Sequence, residues 1–477
     1  NAIKELYPGI NNTVTFQELD EYIAKILISI DNFDNDVLFV DFWEIMQQSM
    51  AKIHDCHITL FEPLWKWHMG TNYSPQIRFG WICDKLICTM AIDIYEQYIG
   101  KEIVRINGLS TDSIKEIITS KITSYDSKVK GFVEFVCATT GMLIFFEKYG
   151  NYNMEVEFAD GEIVNFISET SKNRHRYVGS WFNFHKINAH QEGYSTKVLN
   201  DSTAYLGIST FNNFSQVAID DIATFIKSLP QTHNLIIDLR NNYGGSDEVV
   251  SKIFSFVVLD TLRLEGYSKV NKKGGFNTVL MNYYGVDEDI FPEFSKKEGK
   301  DGFYKLNNSF YAPDSSVNFK GKLYVLINEN SVSAASLFAS LVVRSHRGAI
   351  VGRESRNAYH FMNAAKFGDF KLPNSTLIVR IPLVEIVFDT VVNQRVPWGR
   401  GVLPDYFVPL TLDELTSKNG DSIINYTLKL IANGEYISKE NPFTMQVQKQ
   451  YNIQHYWAFI VICSALIGLI FLYLRHK

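Results

Sequence analysis

The chain has 477 residues, 46% of them apolar and 21% charged, enough for two or three domains with a sizeable core. A formal net charge of −6 and an isoelectric point near 6.0 leave no basic footprint, which argues against a nucleic-acid partner. The five cysteines, Cys56, Cys83, Cys88, Cys137 and Cys463, are few, odd in number and without paired zinc-type spacing, so neither a disulfide framework nor a structural metal is expected, although Cys83 and Cys88 are near enough to pair.

Residues 1–70 read as mainly helical, because 16–27 and 39–50 carry apolar residues at three- and four-residue spacing. They lead into Ile53-His-Asp-Cys-His-Ile-Thr-Leu60. His54 and His57 could share a helix face and bind a metal with Cys56, but no third ligand group stands at a recognised spacing, and no metal is expected. From 75 to 190 the pattern turns to short strands. Within it, Gly100-Lys-Glu-Ile-Val-Arg-Ile-Asn-Gly108 alternates like a strand and closes on an Asn-Gly turn before a helical stretch, 113–122. This piece resembles the end of a PDZ-type module, a class that binds peptide termini by strand addition.

An α/β alternation begins near 195. Thr203 to Ser209 reads as a strand and Val217 to Leu229 as an amphipathic helix. Asn234-Leu-Ile-Ile-Asp-Leu-Arg-Asn-Asn-Tyr-Gly-Gly-Ser246 reads as a buried strand that opens into a glycine turn, with Ser246 capping the next helix. Adjacent glycines there leave N–H groups open to an anion, or simply satisfy a tight turn. Asp238 and Arg240 look structural: a strand-end Asp-Leu-Arg can lock the following turn by charge-assisted hydrogen bonds. The polar 260–315 stretch reads as an insertion able to form a lid or rim.

The period then changes from 2 to 3.6 across Asn328 to Ser333, from an apolar strand at 322–328 to a helix with Ala334, Leu337, Phe338, Leu341 and Val342 on one face. Ser333 sits at the turn. It is either the helix N-cap or a nucleophile whose oxyanion would meet the free N–H groups and dipole of the helix start. Thr411 to Ala432 contains a closing helix, and 436–455 is a polar linker. Residues 456–474 carry no charge and span roughly 28 Å as a helix, close to the thickness of a bilayer's hydrocarbon core. Aromatic residues near its ends, with Arg475 and Lys477 following, read as a single membrane span with a cytoplasmic tail and the large domain on the other side. The first residue is Asn1, which is compatible with a removed signal peptide.

Six segments in order resemble the C-terminal processing (tail-specific) serine peptidases and their tricorn-like relatives: Asp55-Cys-His-Ile-Thr59, Gly100 to Gly108, Asp238-Leu-Arg-Asn-Asn-Tyr-Gly-Gly245, Ser331-Val-Ser-Ala-Ala335, Val351-Gly-Arg-Glu-Ser355 and Gly401-Val-Leu-Pro-Asp405. The resemblance implies a crotonase-like (ClpP-like) β-β-α peptidase core at 195–435, behind an N-terminal helical region and the PDZ-like module. It implies Ser333 as nucleophile, with an oxyanion hole from the N–H of Ala334 and one from Gly244 or Gly245. The lysine of the family's Ser/Lys branch is replaced by Ala358, so the resemblance points to the Ser/His branch, with His57 as base. Glu385 is the first candidate to hold the imidazole, with Asp389 and Glu354 behind it; Lys366 is a substitute base. A polypeptide substrate, no cofactor and a bacterial source are implied. The competing reading is a member that binds peptide or an apolar ligand without cutting it, suggested by Ala358 and by Ser336 where relatives often carry Glu.

Overall fold

The computed structural model describes residues 2–10, 14–31, 39–61, 73–74, 77–91, 93–122, 131, 134, 153–166, 169–170, 193–212, 214–231, 233–271, 299–300, 302–306, 310–388, 396–413 and 421–436. Three helices open the chain: α1 (Ala2–Leu6), α2 (Phe16–Asp31) and α3 (Phe39–Ala51). Strand β1 (Thr59–Phe61) follows. An antiparallel sheet then forms from β2 (Ile77–Ile82), β3 (Lys85–Ala91), β4 (Glu102–Ile106), β5 (Leu109–Ser110), β6 (Met154–Phe158) and β7 (Ile163–Phe166), with α4 (Thr111–Ile122) packed on it through Ile114 and Ile118. The Asn107-Gly108 turn has φ of 50° and 78°, the backbone a two-residue hairpin of this type requires. Cys83, in the β2–β3 turn, and Cys88, buried in β3, are both free thiols, so the pairing is not formed.

The central sheet is built from β8 (Tyr194–Asn200), β9 (Thr203–Ile208), β10 (Asn234–Asp238), β12 (Lys322–Ile327), β13 (Ala349–Gly352) and β16 (Tyr406–Phe407), in that order across the sheet; β8 is antiparallel to β9 and the others run parallel. Both faces are covered, which explains the near-continuous apolar runs. Leu235, Ile237, Leu323, Val325 and Ile327 pack under α5 (Gln216–Ser228), α6 (Asp247–Ser255) and α7 (Ala334–Arg344), while Ile236, Tyr324, Leu326 and Val351 pack under α8 (Ser422–Ala432). The predicted α/β core is therefore present.

A second sheet carries β1, β11 (Tyr267–Lys269), β14 (Phe361–Lys371) and β15 (Ile378–Val387), with two short strands beyond β11. The β14–β15 hairpin is a feature the sequence pattern did not reveal. Leu6, Tyr7, Leu19, Met50, Ile53 and Ile58 bury against Phe370, Val379, Ile381 and Leu383, so the N-terminal helices close one face of this sheet. Among the described residues no helix is long and apolar enough to cross a membrane. The expected span at 456–474 and most of its linker lie outside the described residues, as does Asp389.

Candidate active site

Two turns leave the carboxyl ends of neighbouring parallel strands and meet. β10 and β12 run in register, Asp238 opposite Leu326. After β10, Arg240 folds back on Asp238 with Nε at 2.9 Å and Nη2 at 2.6 Å, and reaches Asp421, the N-cap of α8, at 2.7 Å. This is the turn lock expected of that Asp-Leu-Arg. Beyond it, the Asn242 carbonyl accepts the Val332 N–H at 2.9 Å, which ties the glycine turn to the serine turn.

Ser333 has φ 55° and ψ −121°, a strained backbone for a residue with a side chain, at the start of α7. Its hydroxyl makes no cap hydrogen bond, so the N-cap reading does not describe it. The contact of Oγ is Met362 Sδ on β14, at 3.9 Å. Gly244 fits against this turn only because it lacks a side chain: a Cβ there would lie 2.6 Å from Ser333 Cβ and 3.0 Å from Ala334 N, at φ 94°. The Gly244 N–H is already donated to Asn242 Oδ1 at 2.8 Å. The amides of Gly245 and Ala334 have no hydrogen-bond partner among the described residues. Two such backbone donors on turns that meet at a part-buried serine are parts from which an oxyanion hole can be built.

His57 comes from the other side. Ile53 and Ile58 are fully buried in the N-terminal core, and β1 pairs antiparallel with β15, so the segment between them is pinned at both ends. The His57 N–H donates to Asp55 Oδ1 at 2.8 Å; around its ring, Nδ1 lies 3.8 Å from Asp55 Oδ1 and 3.6 Å from Cys56 Sγ. Nε2 is buried and carries no hydrogen bond among the described residues, so it is not bonded to Ser333 Oγ in this structure. Catalytic hydrogen bonds of this kind commonly tighten only with substrate bound. Burial, with the nearby Arg356 charge, pushes the His57 pKa down to about 4. Burial pushes Asp55 up to about 6 against hydrogen bonds from Tyr7, His57 N–H and Asn363. The imidazole is therefore neutral at pH 7.

Two residues assigned no role from sequence hold the halves together. Asn357 accepts the Ser333 N–H on Oδ1 and donates Nδ2 to Cys56 Sγ. Tyr7 donates its hydroxyl to Asp55 Oδ2 at 2.6 Å and accepts from Asn363 Nδ2 at 3.0 Å. β14 touches both sides: Met362 meets Ser333, and Phe367 packs its ring 6.0 Å from that of His57. Between them the pairing with β15 slips at Ala365, whose φ is 70°, a bulge of the kind that re-aims side chains beside active sites. The carboxylate beside His57 Nδ1 is Asp55. Glu385 lies on β15 with Lys269 Nζ at 3.4 Å and Asn363 across the ladder. Glu354 is engaged by Arg400 and the Gly401 N–H, Lys366 lies in the bulge, and Ser336 Oγ donates to the Ser331 carbonyl.

Residues 202–406 match the description Peptidase family S41. This stretch belongs to peptidase family S41. S41 enzymes are serine peptidases, and the serine-type peptidase expected from the motifs is the class that this matched stretch supports. A crystal structure of a CPAF mutant superposes with a TM-score of 0.60 at 13% identity, covering 91% of this chain and 96% of that one. Mature CPAF complexed with lactacystin gives 0.58 at 14% identity, covering 90% and 96%. The photosystem II D1 C-terminal processing protease gives 0.35 at 12% identity, covering 88% and 96%. No curated protein matches the chain. The CPAF likenesses, at these identities, establish the fold of the S41 core and its neighbours.

Proposed function

We propose that this S41 chain is a serine endopeptidase that cuts polypeptides through an acyl-enzyme on Ser333, with His57 Nε2 as general base and then general acid. The observation that carries the reading is the Ser333 turn itself: a strained serine with no capping bond, packed against the glycine turn, with the amides of Gly245 and Ala334 lacking a hydrogen-bond partner among the described residues. The Asp55 carboxylate, 3.8 Å from Nδ1, favours the imidazole proton on that nitrogen by its charge, which leaves Nε2 able to accept the serine proton. One oxyanion donor of this kind is worth about 2.7–4 kcal/mol of barrier. The antiparallel sheet with α4 acts as a PDZ-like module that presents substrate. The uncharged 456–474 run anchors the enzyme, with the peptidase on the non-cytoplasmic side.

The test is labelling with a fluorophosphonate probe. Parent protein labels; Ser333→Ala does not, and His57→Ala loses almost all of its rate. A folded parent that never labels would instead favour a peptide-binding member, and labelling that survives His57→Ala would move the base elsewhere.

A further inference from the structure

The His57 segment offers more than a base. Asp55, Cys56 and His57 each present one donor atom, and these atoms all lie within 4.8 Å of one another. The sequence offered His54 and His57 on one helix face, with Cys56, and no third ligand group at a recognised spacing. The structure instead folds three consecutive residues around one point, after a left-handed His54 at φ 53°. From these positions we infer that Asp55, Cys56 and His57 form a site for a soft divalent cation, zinc by its ligand chemistry, and that filling it switches the peptidase off.

The distances fit. Tetrahedral zinc with bonds of about 2.3 Å to sulfur and about 2.0–2.1 Å to nitrogen or oxygen requires N···S near 3.5 Å and N···O near 3.4 Å. Cys56 Sγ stands 3.6 Å from His57 Nδ1, and Asp55 Oδ1 stands 3.8 Å from it. The outer shell is also present. Tyr7 donates to the other carboxylate oxygen of Asp55, and Asn357 donates its amide to the Cys56 sulfur, an arrangement that fixes ligands and favours the thiolate. A carboxylate and a thiolate neutralise the ion's two charges, so the cation can enter a buried place without leaving net charge there. Three protein ligands leave a fourth position for water.

Occupation and catalysis exclude each other. When the cation binds, Cys56 gives its thiol proton to solvent and the imidazole proton moves from Nδ1 to Nε2. Nε2 is then a donor and cannot take the proton of Ser333. This inhibitory half rests on the peptidase reading above; the binding half does not.

The experiment uses full-chain protein stripped of metal with a chelator and titrated with cobalt(II). One equivalent should produce a thiolate-to-cobalt charge-transfer band, which excess zinc removes. Cys56→Ser should abolish the band, with Cys56→Ala as the alternative if the serine variant folds poorly. Asp55→Asn should weaken binding severely, and Tyr7→Phe, which alters only the outer shell, by roughly 10–100-fold. No band in the parent, or a band that persists without Cys56, overturns the site. Zinc should stop fluorophosphonate labelling of Ser333 and a chelator restore it; zinc that occupies the site without slowing labelling overturns the switch. A metal-free parent that does not label defeats the peptidase reading, while the cobalt titration still decides the site.

Discussion

The backbone N–H of Ser333 is donated to the side chain of Asn357, whose amide nitrogen in turn reaches Cys56, the residue before the base. One asparagine thus sets both the serine turn and its distance from His57. Asn357→Ala should slow fluorophosphonate labelling by about 100-fold, the scale of an ångström of misplacement, while the far-ultraviolet spectrum stays that of the parent. An unchanged labelling rate would remove Asn357 from the site.

Asp55 should matter through the tautomer it enforces. Asp55→Asn presents an amide to Nδ1 and permits the wrong ring proton, so labelling should fall by roughly 10⁴. Glu385→Gln breaks the contact with Lys269 and should cost less. The reverse order, measured side by side, would make Glu385 the group that holds the imidazole.

Gly244→Ala tests the packing of the two turns. The new methyl would sit 2.6 Å from Ser333 Cβ at φ 94°, so the turn must shift as well as strain, at about 1–3 kcal/mol for the backbone alone. Thermal unfolding should drop and labelling should vanish. A variant with parental stability and rate would contradict the close approach.

The pH dependence of labelling has a definite sign. His57 works when neutral, and its folded pKa is depressed to about 4 from 6.5. Asp55, which must be ionised to hold the tautomer, is pushed up to about 6, so in chelated buffer the rate should hold from pH 8 to near pH 7 and fall through pH 6, before the imidazole itself titrates near 4. A rate that stays flat down to pH 5 would remove the Asp55 carboxylate from the mechanism.

Arg240 bears on stability rather than chemistry. It is buried between Asp238 and Asp421, and Arg240→Leu removes the only cation bonded to the fully buried Asp238 among the described residues, leaving it the Tyr205 hydroxyl and one backbone N–H. The loss in urea unfolding should be about 3–5 kcal/mol. A loss under 1 kcal/mol would show that the pair is screened by solvent.

The core strands and helices were legible because their periods are strong. Asn234–Asp238 and Lys322–Ile327 are bare apolar runs, and Ser246 announces α6 with its acidic first turn. The glycine pair and Ser333 were legible by spacing to those elements. β14 was not: Phe-Met-Asn-Ala-Ala-Lys-Phe-Gly-Asp-Phe-Lys mixes alanine, glycine and aspartate, and its bulge breaks the alternation. Asn357 and Tyr7 were also hidden, since each acquires its role only from partners remote in the chain, Cys56 and Asp55. A single sequence carries no local mark of a hydrogen bond made across 48 or 301 residues.

The pairing of β1 with β15 has a consequence for a newly made chain. His57 emerges early, but the strand that anchors its segment spans Ile378–Val387, and the Asn357 bridge comes only shortly before it. A ribosome-bound chain that has completed the Ser333 turn therefore still lacks an assembled base. On the proposed mechanism the base is assembled only after the Ser333 turn has been made, which spares the nascent polypeptide from early cleavage.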